Sequence, residues 1–490
     1  MRRIGVSLSL VAGAILGTAI VTATDPLIAE PRMVGDTDAG RLYVEDATVV
    51  GDDFVFLGTH GRERLSLRWF DAERERERRL AVVWSGEMPR ELATDRGRVI
   101  FTGFREEQGT EPWRSDGTRA GTKLVREIHT GRQSATCAPQ GAECGTFPAG
   151  SDPRSFVTIG RTTFLVANHP RYGQELWRTN GTRAGTRLVK DIQTGTGSGL
   201  AFSEGSLVEF GGGLYFVAGD GKHGRELWRT DGTRAGTRMV RDIGPGWSVA
   251  WWDTPVVAGD HLYFTAERED EGLELWRTDG TRTGTRLVRD IWPGPKASKP
   301  QDLTAVGDRL YFTARDREHG RELWRSDGTR TGTELVADIV PGRASSDLGD
   351  LVALGDRLYL TVWGAIDEAE PARRLWRTDE AGGSLEPVLL GNDGSTSTNR
   401  RWSEYPTLAT HDGHLYLAAD DGVHGNEVWV IDGATGASAL VADIRPGPQG
   451  SKPEWLTIAD TVLYVAAADG EHGRQLWALP LDAGGADGTS

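Results

Sequence analysis

The chain is poor in cysteine, methionine and lysine. Its 490 residues hold two cysteines, four methionines and six lysines. Two cysteines are too few for a structural zinc site, and no paired histidines stand beside them. No segment repeats its apolar residues with the 3.6-residue period of a helix. Positive charge is outweighed: the formal net charge is −15, with no basic stripe. Such a surface repels phosphate backbones, so nucleic acid is excluded as an expected partner. G-x-S-x-G, H-E-x-x-H and P-loop motifs are all missing. Acids occur in every loop, so no carboxylate pair can be singled out for glycosidic chemistry. No catalytic residue, metal ligand or cofactor is therefore expected, and the chain is read as not an enzyme.

Residues 1–23 read as a signal peptide. Arg2 and Arg3 precede an uncharged run from Ile4 to Val21, closed by the small-residue stretch Val21-Thr22-Ala23. Retention as an anchor is the rival, but the run is rich in Gly, Ser and Ala, which favours cleavage by Sec-type export. No cysteine follows to accept a lipid. The expected product is secreted, periplasmic or surface-bound, monomeric and without a membrane span. Cys137 and Cys144 suit that compartment: in CAPQGAEC they can close a small ring inside an insertion at 129–151, worth roughly 2–3 kcal/mol.

What the chain has in quantity is glycine, 65 residues placed at regular intervals. They belong to a repeat, ELW-R-[TS]-DGT-R-x-GT, seen undamaged at Glu226–Thr237, Glu274–Thr285 and Glu322–Thr333. Its tryptophans are Trp113, Trp177, Trp228, Trp276, Trp324, Trp376, Trp429 and Trp477, with Trp69 in an eroded first copy, mostly 48 to 53 residues apart. Between markers lie four short β-rich segments divided by Gly/Asp turns, the arithmetic of a propeller blade. The expected fold is all-β: one large β-propeller of four-stranded antiparallel blades, nine in number with eight as the alternative and an open solenoid as a third. A 24–40 linker leads into the propeller at 41–480, and 481–490 is a tail. Arg41–Val44 is expected to close the ring by completing the last blade, which lacks a fourth strand.

The marker needs no function. Its Trp fills the space between blades, and the carboxylates of Asp116, Asp231, Asp279 and Asp327 bond backbone N–H groups of the turn, with Asn180 doing the same in one copy. On ELW-x-x-DGT the chain resembles the bacterial ELW-x-x-DGT repeat proteins, some labelled hyalin-repeat, from about Leu42 to Leu479. The resemblance implies an exported propeller-like protein and brings no catalytic residues. Val430-Ile-Asp-Gly-Ala-Thr-Gly also looks like the tryptophan-docking motif of quinoprotein-type propellers.

In a propeller the second-to-third-strand loops and the blade connectors share one face, where binding is expected. A recurring His (His223, His319, His424, His472) and a recurring Asp (Asp191, Asp242, Asp290, Asp338, Asp443) lie there. Blades are angularly separated, which favours local turn roles over a shared metal ion. The non-repeating aromatics Trp247, Trp251, Trp252, Trp292, Trp402 and Trp455 are the ligand-binding candidates, for a glycan or protein partner; packing between connectors is the alternative. The function expected is a non-enzymatic binding module, with an exported polysaccharide hydrolase or lyase as the alternative.

Overall fold

The computed structural model describes residues 31–34, 42–60, 64–74, 76–82, 92–136, 143–200, 207–244, 254–363, 373–388, 397–398 and 408–481. Every regular element among them is a strand. Blade 6 shows why. Its strands are Gln301–Val306, Arg309–Arg315, Arg321–Ser326 and Glu334–Ala337, paired antiparallel in that order. In the second strand Leu310 and Phe312 face blade 5, while Tyr311 faces blade 7; in the third, Trp324 and Leu323 divide the same way. Side chains alternate between faces, and both faces are buried, so the sequence shows a near-continuous apolar run. The Gly307-Asp308 pair makes the hairpin between the first two strands, with Gly307 at φ +61°.

Nine blades succeed one another, at residues 42–82, 92–124, 154–188, 208–241, 256–289, 301–337, 347–387, 408–442 and 454–480. Nine apolar clusters sit one at each blade–blade interface. They include one between blades 9 and 1, where Tyr464 and Leu476 pack on Leu42, Phe54 and Phe70. The ring is closed. The marker Trp packs towards the preceding blade, as Trp228 does on Phe164 and Leu176. Trp69, Trp113, Trp177, Trp228, Trp276, Trp324 and Trp429 are buried, and Trp376 and Trp477 are half-buried.

An N-terminal strand completes blade 9, but it is not Arg41–Val44. Arg32–Met33 pairs antiparallel with Arg474–Pro480, placing Arg32 opposite Ala478 and Met33 opposite Trp477. Leu42–Val50 is instead the first strand of blade 1. A bulge between Val44 and Asp46 carries that strand past the point where it reads as two pieces. The closing strand thus falls within the expected linker. The insertion after blade 2 forms a hairpin of Arg132–Thr136 with Glu143–Pro148. Cys137 and the Cys144 side chain lie outside the described residues, as do the signal peptide and the tail.

The marker turn is held by bonds within itself. Asp327 Oδ1 accepts the Thr329 N–H and hydroxyl at 2.8 and 2.7 Å. Thr329 Oγ1 accepts the Gly332 N–H at 3.0 Å, and Ser326 Oγ accepts the Gly328 N–H at 2.9 Å. Asp116, Asp231 and Asp279 bond in the same way, as does Asn180. Gly328 is required twice: its φ is +81°, and a Cβ there would collide with the Tyr263 hydroxyl of blade 5. At the outer edge, Lys190, two residues past the fourth strand of blade 3, and Arg241, at the end of that of blade 4, donate to the carbonyls of Thr237 and Thr285 in the next blade. The arginine-rich repeat therefore ties neighbouring blades together.

Candidate functional site

The connector face is built on a residue whose role the sequence did not disclose, the Glu of ELW. Glu111, Glu175, Glu226, Glu274, Glu322 and Glu427 are fully buried. Glu274 accepts four donors from the connector that leaves its own blade: the N–H groups of Ile291 (3.2 Å), Trp292 (3.4 Å) and Ser298 (2.9 Å), and the Ser298 hydroxyl (2.5 Å). Glu322 and Glu427 hold Ser346 and Ser451 likewise. One carboxylate thus fixes the loop 17 to 24 residues downstream. In the last blade Gln475 stands in this place and donates its amide N–H to the His472 carbonyl at 3.1 Å.

The recurring histidines are local. Nδ1 of His223, His319, His424 and His472 meets the carboxylate of Asp220, Asp316, Asp421 and Asp469, three residues earlier, at 2.8, 2.9, 2.8 and 2.6 Å. Among the described residues no group of His, Cys, Asp or Glu is arranged to hold a metal ion. Asp191, Asp290 and Asp338 each accept the N–H of the glycine four residues on, inside the connector turn.

These groups set a pH dependence. Burial pushes the carboxyls of Glu111, Glu175 and Glu274 from an ordinary 4.5 up to about 7, against the pull of their donors. Their contribution to stability is full below 4.5 and is lost as pH rises through 7. The Thr hydroxyls hold Asp116, Asp231, Asp279 and Asp327 below the usual 3.8, a contribution present above that value and lost as pH falls. The Asp partners raise His223, His319, His424 and His472 above 6.5, which adds stability that is lost as pH rises past their folded values. Resistance to urea is therefore expected to peak between about pH 4 and 5 and to decline towards about pH 7.5. An unfolding midpoint that stays level or rises from about pH 4.5 to 7.5 contradicts this.

Of the aromatic candidates, Trp247, Trp251, Trp252 and Trp402 lie outside the described residues. Trp455 is half-buried against a core cluster. It sits in a first-strand bulge at φ +57°, where blades 6 and 7 carry Asp302 and Asp350, and packs on the cluster between blades 9 and 1. Asp302 and Asp350 bond Thr313 and Thr361 of the second strand; opposite the blade 9 bulge that position is Ala466, leaving an apolar place for the indole. Trp292 is half-buried in the connector from blade 5 to blade 6, at a cleft of about 560 Å³ shared with the blade 6 loop and the next connector. Lys296 Nζ and Arg315 Cζ lie 5.3 and 5.4 Å from its ring centroid.

Fold and site together define a closed nine-bladed β-propeller whose repeat is structural and whose connector face carries the blade-specific residues. Over residues 161–440 the chain matches the family described as outer membrane protein assembly factor BamB, and it belongs to that family. This overturns the resemblance to the ELW-x-x-DGT, hyalin-labelled proteins. The physical reason is that the Asp and Thr side chains of the DGT turn bond within the turn, so the motif reports blade construction. No curated protein matches the chain. Among solved structures, a puromycin hydrolase S511A mutant complexed with PGG is 14% identical, with a TM-score of 0.41, over 88% of this chain and 58% of its own. A Mycobacterium tuberculosis puromycin-hydrolyzing peptidase is 13% identical, with a TM-score of 0.40, over 90% and 61%. The β-propeller domain of the Trilobed protease from Pyrococcus furiosus is 10% identical, with a TM-score of 0.35, over 82% and 96%. The chain spans about three fifths of the length of the first two. At these identities and scores the likenesses carry no argument about function.

Proposed function

We propose that this chain is an exported, non-catalytic propeller that serves at the cell envelope as an interaction scaffold in outer-membrane protein assembly. Membership of the family described as outer membrane protein assembly factor BamB carries this reading. Two features support it. The recurring carboxylates and imidazoles that acid–base chemistry would draw on are bonded within their own blades or connectors. A rigid ring with blade-specific loops on one face suits the docking of a partner. Cross-linking in intact cells, with purification of the tagged full chain, is expected to recover outer-membrane assembly proteins. Turnover of a polysaccharide by the purified chain, with no envelope partner recovered, would replace this reading by the hydrolase or lyase.

A further inference from the structure

In a repeat protein, the informative residues are those that break the repeat and then converge in space. Four do so at the cleft beside Trp292. Where the connectors of blades 3, 4, 6 and 8 carry Gln193, Gly244, Val340 and Arg445 after the Asp-Ile pair, blade 5 carries Trp292. At the end of the second strand, opposite the residue before the marker Glu, blades 4, 5, 8 and 9 place Gly219, Glu267, Asp420 and Ala468; blade 6 places Arg315. In the loop after that strand, Gly221, Gly422 and Gly470 of the other Asp-x-x-His turns are replaced by Arg317. The connector beyond blade 6 adds Arg343.

The result is a local reversal of charge on an acidic protein. Lys296, Arg315, Arg317 and Arg343 line the cleft, against the single carboxylate of Asp316. That carboxylate is occupied by the N–H groups of Glu318 and His319 and by His319 Nδ1. The Trp292 ring holds two of the cations in place, so less side-chain freedom is lost when an anion arrives. Arg317 and Arg343 are exposed. The volume, about 560 Å³, is that of a discrete ring-bearing group and not of an extended peptide. The blade 6 strands beside it are already paired, leaving no edge for strand addition.

We propose that this cleft is a binding site for an acidic saccharide, its carboxylate or sulfate groups held by Arg315, Arg317, Arg343 and Lys296 beside the Trp292 indole. The site stands independently of the protein-docking reading. Titration calorimetry on the full chain tests it with four probes: a tetragalacturonate, a sulfated heparin-derived tetrasaccharide, neutral maltotetraose and a poly-glutamate peptide. At least one acidic saccharide is expected to bind, more weakly as salt rises. R317E/R343E and W292A are each expected to lower its affinity at least about tenfold. R330E, an exposed change in a marker turn on the opposite face, is expected to leave it unchanged. Equal binding of maltotetraose, tighter binding of poly-glutamate than of either acidic saccharide, equal loss in R330E, or binding of neither acidic saccharide each overturns the proposal.

Discussion

Glu274→Ala is expected to destabilise the propeller by about 3–5 kcal/mol, among the largest effects open to a single substitution in this chain. The methyl group would leave four donors from one connector, three N–H groups and a hydroxyl, without their acceptor in a place water does not reach. Each unsatisfied buried donor costs about 1–3 kcal/mol, and relaxation of the loop recovers part of the total. Glu274→Gln is expected to lie between. One oxygen still accepts, but the amide nitrogen meets donors where it can offer only more hydrogens. Denaturant midpoints for the three proteins, with amide-exchange protection at Ile291, Trp292 and Ser298 reporting the connector, check the order. A Glu274→Ala protein within about 1 kcal/mol of the parent, on the scale of a surface change, would remove the Glu anchor from the account of this face.

The same residue marks where sequence reading stopped. Blades, their number and the role of the DGT turn were legible because Trp, Gly and Asp act within a dozen residues of one another. Glu274 was not, since its partners lie 17 to 24 residues on and a strand Glu ordinarily reads as solvent-facing. The closing strand was misplaced for a related reason. Arg32–Met33 is two residues long and shows no alternation, whereas Arg41–Val44 looks like a strand and proves to be the start of a longer one. Trp292 was visible as a break in the repeat, but Trp455 looked equally so. Only packing separates them: one ring meets Lys296 and Arg315 at a cleft, the other lies half-buried against the cluster between blades 9 and 1. Arg317 was within reach of sequence alone, as the one Asp-x-x-His turn whose glycine is replaced by a cation.

Val34→Asp is the second substitution with a large expected effect, and its effect should be confined to the ring closure. The closing strand offers only two paired residues, so its hold depends on Val34, the residue next in the chain. Val34 donates its N–H to the Leu476 carbonyl at 2.8 Å, and its side chain is 8% exposed in the cluster with Leu42, Val44, Phe54 and Tyr464. A carboxylate there must either lose its charge or leave the cluster, at a cost of about 2–4 kcal/mol. Leaving is the cheaper course, because a two-residue strand surrenders little pairing. Leu476, Trp477 and Ala478 would then become an unpaired edge beside an opened apolar interface. The expected signature is a loss of amide-exchange protection in Arg474–Pro480 and in the first strand of blade 1, while blades 4 to 6 stay protected, together with concentration-dependent self-association. In a nearest-neighbour ring, damage at one interface need not spread to the opposite side. Protection lost evenly around the ring would mean that closure governs the cooperativity of the entire propeller. Unchanged protection at Arg474–Pro480 would mean that Arg32–Val34 does not hold the ring shut.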